Sequence, residues 1–142
     1  MKKSFLLLPL AVLLLAGAFW GVKHYQAANV PPTDFSRTIA LVPLDSRPCN
    51  TQYPQVLSQM AEHRILLPSA DALDDFLRPA DTEALWQWLE TASQQSQTLI
   101  IFTNELFNGG LIHSRSSQSY DETAAQLDRL TQFLTDHPDN DV

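Results

Sequence analysis

Two short apolar stretches, residues 38–43 and 98–103, run without polar alternation, and Arg64–Leu67 between them reads as a further short strand stopped by Pro68. Runs of strand length with no alternation are expected for strands buried on both faces of a parallel sheet. Between and after them the apolar spacing becomes helical. Val56, Leu57, Met60 and Ala61 follow a helix start predicted around Thr51 to Pro54, where proline is tolerated in the first turn. Leu85, Trp86, Trp88 and Leu89 recur over 82–95 behind Asp81, a good N-cap. Leu127, Leu130, Phe133 and Leu134 line a helix opened by the capping box of residues 119–122 and ended at His137-Pro138. Residues 70–77 read as a short helix or turn, and 104–118 as a long loop. The order strand, helix, strand, helix, strand, helix predicts an α/β fold with parallel strands. The 142-residue chain stops where a fourth strand would be due. The expectation is therefore an incomplete domain, the N-terminal part of a barrel-like or open sheet.

The first 30 residues differ from the rest. Lys2 and Lys3 precede 18 uncharged residues, 5–22, which Lys23-His24 ends. This is the pattern of an apolar targeting helix, to be set apart from the fold. Ala16-Gly17-Ala18 fits a cleavage site, whereas the apolar continuation through Phe19-Trp20-Gly21-Val22 fits a retained anchor with an interfacial aromatic. The division is 1–30 as signal peptide or membrane anchor, 31–37 as a linker stiffened by Pro31-Pro32, and 38–142 as part of an α/β domain. Both readings predict an exported protein of the cell envelope, membrane-anchored or periplasmic/extracellular. The membrane is a partner, through the N-terminal helix, if the leader is uncleaved.

Charge narrows the partners. After residue 30 there are six arginines, no lysine and all 16 acids, a net charge of −10. Nucleic acid and anionic membrane surfaces need a basic patch, so no nucleic-acid partner is expected. The single Cys49 excludes an intrachain disulfide and any multi-cysteine metal site. His63, His113 and His137 lack zinc-ligand spacing, and no phosphate-binding fingerprint is present, so neither a metal nor a cofactor is expected.

Ligands of open parallel sheets and parallel barrels bind at the C-terminal strand ends. The first end supplies Asp45, Arg47, Cys49 and Asn50; the third supplies Asn104, Glu105, Asn108, Gly109, Gly110, His113, Ser114 and Arg115. The second, residues 67–69, is chemically plain. Asp45 and Glu105 could share a rim and divide acid and base roles if their environments differ. Asp45 could equally pair with Arg47 or cap the next helix, and Glu105 could be structural. Arg47 and Arg115 offer planar forks for an anion or sugar, or pair with those same carboxylates. The asparagines could hold a polar ligand or serve turns and caps. A Cys49–His113 nucleophile pair is weighed against Cys49 as a small packed residue, and sugar stacking by Trp86 or Trp88 against packing.

Residues 39–50, Ile-Ala-Leu-Val-Pro-Leu-Asp-Ser-Arg-Pro-Cys-Asn, with Tyr53-Pro54-Gln55, resemble the opening of the bacterial family known as domain of unknown function 4127. Glu105 followed by Gly-Gly-Leu-Ile-His-Ser-Arg at 109–115 is similar to that family's second hallmark, with Glu105 standing where an aspartate is expected, one methylene shorter. Cys49 and His113 fall at positions variable in the family. The resemblance implies a longer protein, often exported, and implies no activity, substrate or cofactor. It places Asp45, Arg47, Asn50, Glu105, Gly109, Gly110, Ser114 and Arg115 at motif positions.

The functional expectation is a hydrolase acting on envelope or extracellular glycans. Asp45 and Glu105 would be catalytic, and Arg47, Asn50, Gly109, Gly110, Ser114 and Arg115 would bind the substrate. The alternatives are a non-catalytic, membrane-tethered module for a small-molecule or glycan ligand, and a truncated chain with no function of its own.

Overall fold

The computed structural model describes residues 35, 37–115 and 119–142. The proposed targeting segment and most of the linker lie outside these residues. Among those described, no helix is long and apolar enough to cross a membrane.

The elements are β1 (Arg37–Val42), α1 (Pro48–Met60), β2 (His63–Leu66), α2 (Thr82–Ser93), β3 (Thr98–Ile101), α3 (Thr103–Asn108), a 3-10 turn at His113–Arg115 and α4 (Tyr120–Asp136). The three strands form one parallel sheet with β1 in the middle, in the order β2-β1-β3. This is the α/β architecture expected from the runs without alternation. Ala40 stands opposite Leu66 on one side and Leu99 on the other, and Val42 opposite Ile101. Partners in register point to the same face, so these residues make one apolar surface. Ala40, Val42 and Leu99 are buried there with Leu85, Trp86 and Leu89 of α2, Leu106 of α3 and Phe133 of α4.

Trp86 ties the helices over that face. Its ring stacks near Phe107, meets Phe133 edge-on at 6.1 Å between centroids, and donates Nε1–H to Gln126 at 3.1 Å. Arg129 lies 4.6 Å over the indole and makes a forked pair with Glu83 at 2.8 and 3.1 Å. Both caps read from the sequence form. Asp81 accepts from the Ala84 N–H, and Ser119 and Glu122 make the reciprocal capping box. At the end of the chain, Asp141 pairs with Thr98 as a single parallel bridge along the outer edge of β3.

Three expectations need correction. Residues 104–118 are not one loop, because 103–108 form a helix closed by Gly109 in the left-handed conformation. Residues 70–77 form turns, one of the two readings open from the sequence. The helix predicted to start near Thr51 starts at Pro48, and its apolar stripe is not core: Tyr53, Val56, Leu57 and Met60 are 56–78% exposed. Periodicity reports that a stripe exists but not which side of the helix the sheet occupies. Cys49, on the same helix, is exposed rather than packed.

These placements predict contrasting costs. Leu89→Ala in α2 should lower stability by about 2–5 kcal/mol in urea unfolding. Leu57→Ala in α1 should change it by less than about 0.5 kcal/mol, because that side chain is largely exposed.

Candidate functional site

Parallel strands place all three C-terminal ends on one rim. There, three buried carboxylates meet: Asp45 after β1, Asp74 after β2 and Glu105 in α3 after β3, at 4, 5 and 0% exposure.

Asp45 is fully engaged. Its Oδ1 accepts from the Arg47 N–H at 3.0 Å and the Asn50 side-chain amide at 2.7 Å. Its Oδ2 accepts from Arg47 Nε at 2.9 Å and Nη2 at 2.6 Å. Burial pushes this carboxyl up, but the hydrogen bonds from Arg47 and Asn50, together with the arginine's charge, outweigh it and hold the carboxyl below its ordinary value. Asp45 is thus held as the anion. The pairing of Asp45 with Arg47, one of the two readings open from the sequence, is realised. The arginine remains half-exposed, with Nη1 outside the pair.

Glu105 has the opposite environment. Its Oε1 accepts the Asp74 N–H at 2.9 Å, while its buried Oε2 has no hydrogen-bond partner. Burial pushes its carboxyl up to about 7; the Asp74 N–H opposes this, and the negative Asp74 and Asp45 carboxylates add to it. Around neutral pH Glu105 is therefore protonated in part.

Asp74 links the two. Its Oδ1 accepts the Ser46 N–H at 2.7 Å. Its Oδ2 and Glu105 Oε2 both lie about 3 Å from where a Cβ on Gly110 would stand. Gly110 has φ 122°, so its lack of a side chain serves both the backbone conformation and the close approach of two carboxylates. Gly109, at φ 73°, ends α3, and its carbonyl accepts the Ala80 N–H at 3.0 Å. A Cβ on Gly109 would come within 2.8 Å of Pro79 Cβ.

A cleft of about 70 Å³ opens between these loops, lined by Asp45, Ser46, Arg47, Asp74, Phe76, Leu111 and Ile112. Of the residues singled out in the sequence, Asp45, Arg47 and Asn50 form one hydrogen-bonded group, and Glu105 and Gly110 meet at Asp74. Ser114 is a turn residue: its hydroxyl accepts from Asn104 and donates to the Leu111 carbonyl. Arg115 is exposed at the end of the 3-10 turn and pairs with no acid among the described residues. Asp74 was missed in the sequence because it lies eight residues beyond β2, in a stretch judged plain at its first three residues. The available signal was an acid set among Ala72, Leu73, Phe76 and Leu77 at a strand's C-terminal side. Among the described residues, no group of three or more His, Cys, Asp or Glu is arranged to hold a metal ion.

The fold and site define an α/β module with a carboxylate-bearing rim at the ends of a parallel sheet. Residues 39–142 match the family described as protein of unknown function, DUF4127, and the chain belongs to that family. No curated protein and no solved structure matches the chain.

The Glu105 environment has a pH signature. A carboxyl whose value rises on folding stabilises the protein fully below its unfolded value, and that stability is lost as pH climbs through the folded one. From 4.5 to about 7, the loss amounts to about 3 kcal/mol. Glu105→Gln should therefore be more stable than wild type at pH of about 8.5 and lose that advantage near pH 4.5, as read by urea midpoints across pH. Gly110→Ala should destabilise by more than about 1 kcal/mol, because its Cβ meets both acids in a left-handed conformation.

Proposed function

We propose that this rim is the acid–base centre of an exported hydrolase acting on envelope or extracellular glycans. The observation that carries the reading is the opposed environment of two buried carboxylates at the strand ends: Glu105 is held near neutrality as an acid and Asp45 is held as an anion. Glu105 is the proton donor. Asp45, with every lone pair occupied, positions Arg47, and Arg47 presents its remaining N–H groups to a hydroxyl or anionic group of the substrate. Asp74, whose Oδ2 borders Gly110 as Glu105 Oε2 does, supplies the second carboxylate of the reaction. Asn50 fixes Asp45 from the other side. The leader's lysines and apolar run are the basis for export.

A second reading has one observation in its favour. Asp45 is saturated by its own loop, as in a site built to hold Arg47 for binding alone. In that reading the rim is a non-catalytic sugar- or anion-binding module.

Reducing-end release from a panel of envelope and extracellular glycans tests the proposal. Glu105→Gln should lower turnover by ~10²–10⁴-fold, and wild-type kcat/KM should fall as pH rises above about 7, where the acid loses its proton. Asp45→Asn should raise KM through a loosened Arg47 more than it lowers kcat. Unchanged turnover in Glu105→Gln would exclude the assignment. Calorimetric binding that Arg47→Ala abolishes, with no product formed, would establish the binding module instead.

A further inference from the structure

The loop after β2 is held over the rim chiefly through one residue, Asp74. Residues 67–80 form turns and no helix or strand of their own. The root of this loop is apolar and buried at Ala72 and Leu73, whereas Phe76 and Leu77 at its tip are 67 and 85% exposed. The tip is a two-residue turn closed by reciprocal backbone bonds between Asp75 and Arg78, at 2.9 and 2.8 Å. Phe76 sits there at φ 38°, a conformation that suits glycine better than a residue with a side chain. Between root and tip, Asp74 gives its N–H to Glu105 Oε1 and takes the Ser46 N–H on Oδ1. A further bond to the rim, from the Ala80 N–H to the Gly109 carbonyl, lies at the far end of the loop.

The partner of Asp74 is poorly placed to carry a charge. Glu105 is wholly buried, and its Oε2 has no hydrogen-bond partner. That oxygen and Asp74 Oδ2 both approach Gly110, where the missing side chain leaves them room. The ionisable groups on the segments around it are Asp74, Asp45 with its Arg47, and His113 and Arg115 on the 3-10 turn that packs on α3. On α2, which also packs on α3, Glu83 pairs with Arg129 and Glu90 with His137. The charges that act on Glu105 are the negative ones of Asp74 and Asp45. With a proton, Oε2 is a neutral hydroxyl able to donate; without it, an unhydrated anion lies beside a second one. An ionised carboxylate needs water. The cover that yields most easily to admit it is the loop, which has no helix or ladder bonds to break.

We infer that the Glu105 proton is a latch: while it is bound, the loop after β2 stays closed against α3, and its loss releases residues 74–78 and opens the cleft that Phe76 lines with Leu111 and Ile112. The sign follows from burial. The closed state keeps the proton, whereas the open state, with Glu105 hydrated, gives it up more readily. Opening is therefore rarest at acid pH, increases as pH rises, and levels off once the closed form is ionised as well. Release also lets Phe76 leave its left-handed conformation, which lowers the cost of opening. The inference concerns the movement of the loop and holds whether the cleft is a site of hydrolysis or of binding alone.

Hydrogen exchange of the full chain across pH, corrected for the intrinsic pH dependence of amide exchange, tests this. The reporters are the Asp74 and Ser46 amides, whose bonds the latch controls, and the amides of α2 as the measure of global unfolding. In the wild type, Asp74 and Ser46 should exchange faster than α2 at every pH. Their protection should fall about tenfold from pH of about 6 to about 8.5, the change that linkage gives for a carboxyl at about 7 when closed and 4.5 when open. Glu105→Gln keeps an acceptor for the Asp74 N–H and cannot ionise, so its protection should stay constant over that range. Asp74→Asn keeps the N–H and the acceptor for Ser46 but removes the neighbouring charge, and it should shrink the fall. Protection at Asp74 that is flat with pH in the wild type, or that falls as far in Glu105→Gln, would overturn the inference. So would exchange at Asp74 no faster than in α2, since the loop would then open only with the whole domain.

Discussion

The hydrogen bond from the Asp74 N–H to Glu105 Oε1, wholly buried at 2.9 Å, is the contact on which the rim depends. A buried backbone N–H without an acceptor is costly, and a buried carboxylate without donors is costlier. Each removes part of the other's penalty. From Asp74 the connection continues through its carboxylate to the Ser46 N–H, and from the neighbouring Asp45 to Arg47 and Asn50. The loops after three different strands are thus joined by acids that accept backbone N–H groups. Such a network fixes loop positions more firmly than apolar contact would, because each bond has a direction. It also brings three carboxyls together out of water, and burial, with the Asp74 and Asp45 charges adding to it, favours the protonated form of Glu105.

The strands and long helices were legible because their signals are local. Residues 39–43 and 99–102 are apolar without interruption, and Ser119 with Glu122 states a helix start in four residues. Helix α3 was not legible: six residues, Thr103–Asn108, are too few to show a period, and four of the six are polar. Of the site, Asp45, Arg47, Asn50, Glu105 and Gly110 could be found from two strand ends, while Asp74 could not. Its importance comes from a fold that carries the loop after β2 back over the rim, and no spacing along the chain records that path. Gly109 and Ser114, read as ligand contacts, have visible structural work in closing a helix and a turn.

Helix α1 shows the same boundary between local and global information. Its stripe at 53, 56, 57 and 60 has the spacing of a core helix, yet its less exposed positions are Asn50, Thr51, Pro54 and Ser58. Small residues allow the helix to lie close to its neighbours without large apolar side chains between.

The position of Glu105 in the chain ties the completion of the sheet to the completion of the rim. β1, α1 and β2 form a unit of near-neighbour contacts, and β3 joins the other side of β1 only later in the sequence. Until β3 and α3 arrive, the Asp74 N–H, 31 residues upstream of Glu105, has no carboxyl to receive it. The last strand in the chain therefore brings with it the acceptor that the second loop needs, and a chain that slips the register of β3 by one residue displaces that carboxyl along with the side chains of the strand. Strand alignment and site assembly are in this sense a single folding event, in which an error in one is felt at once in the other.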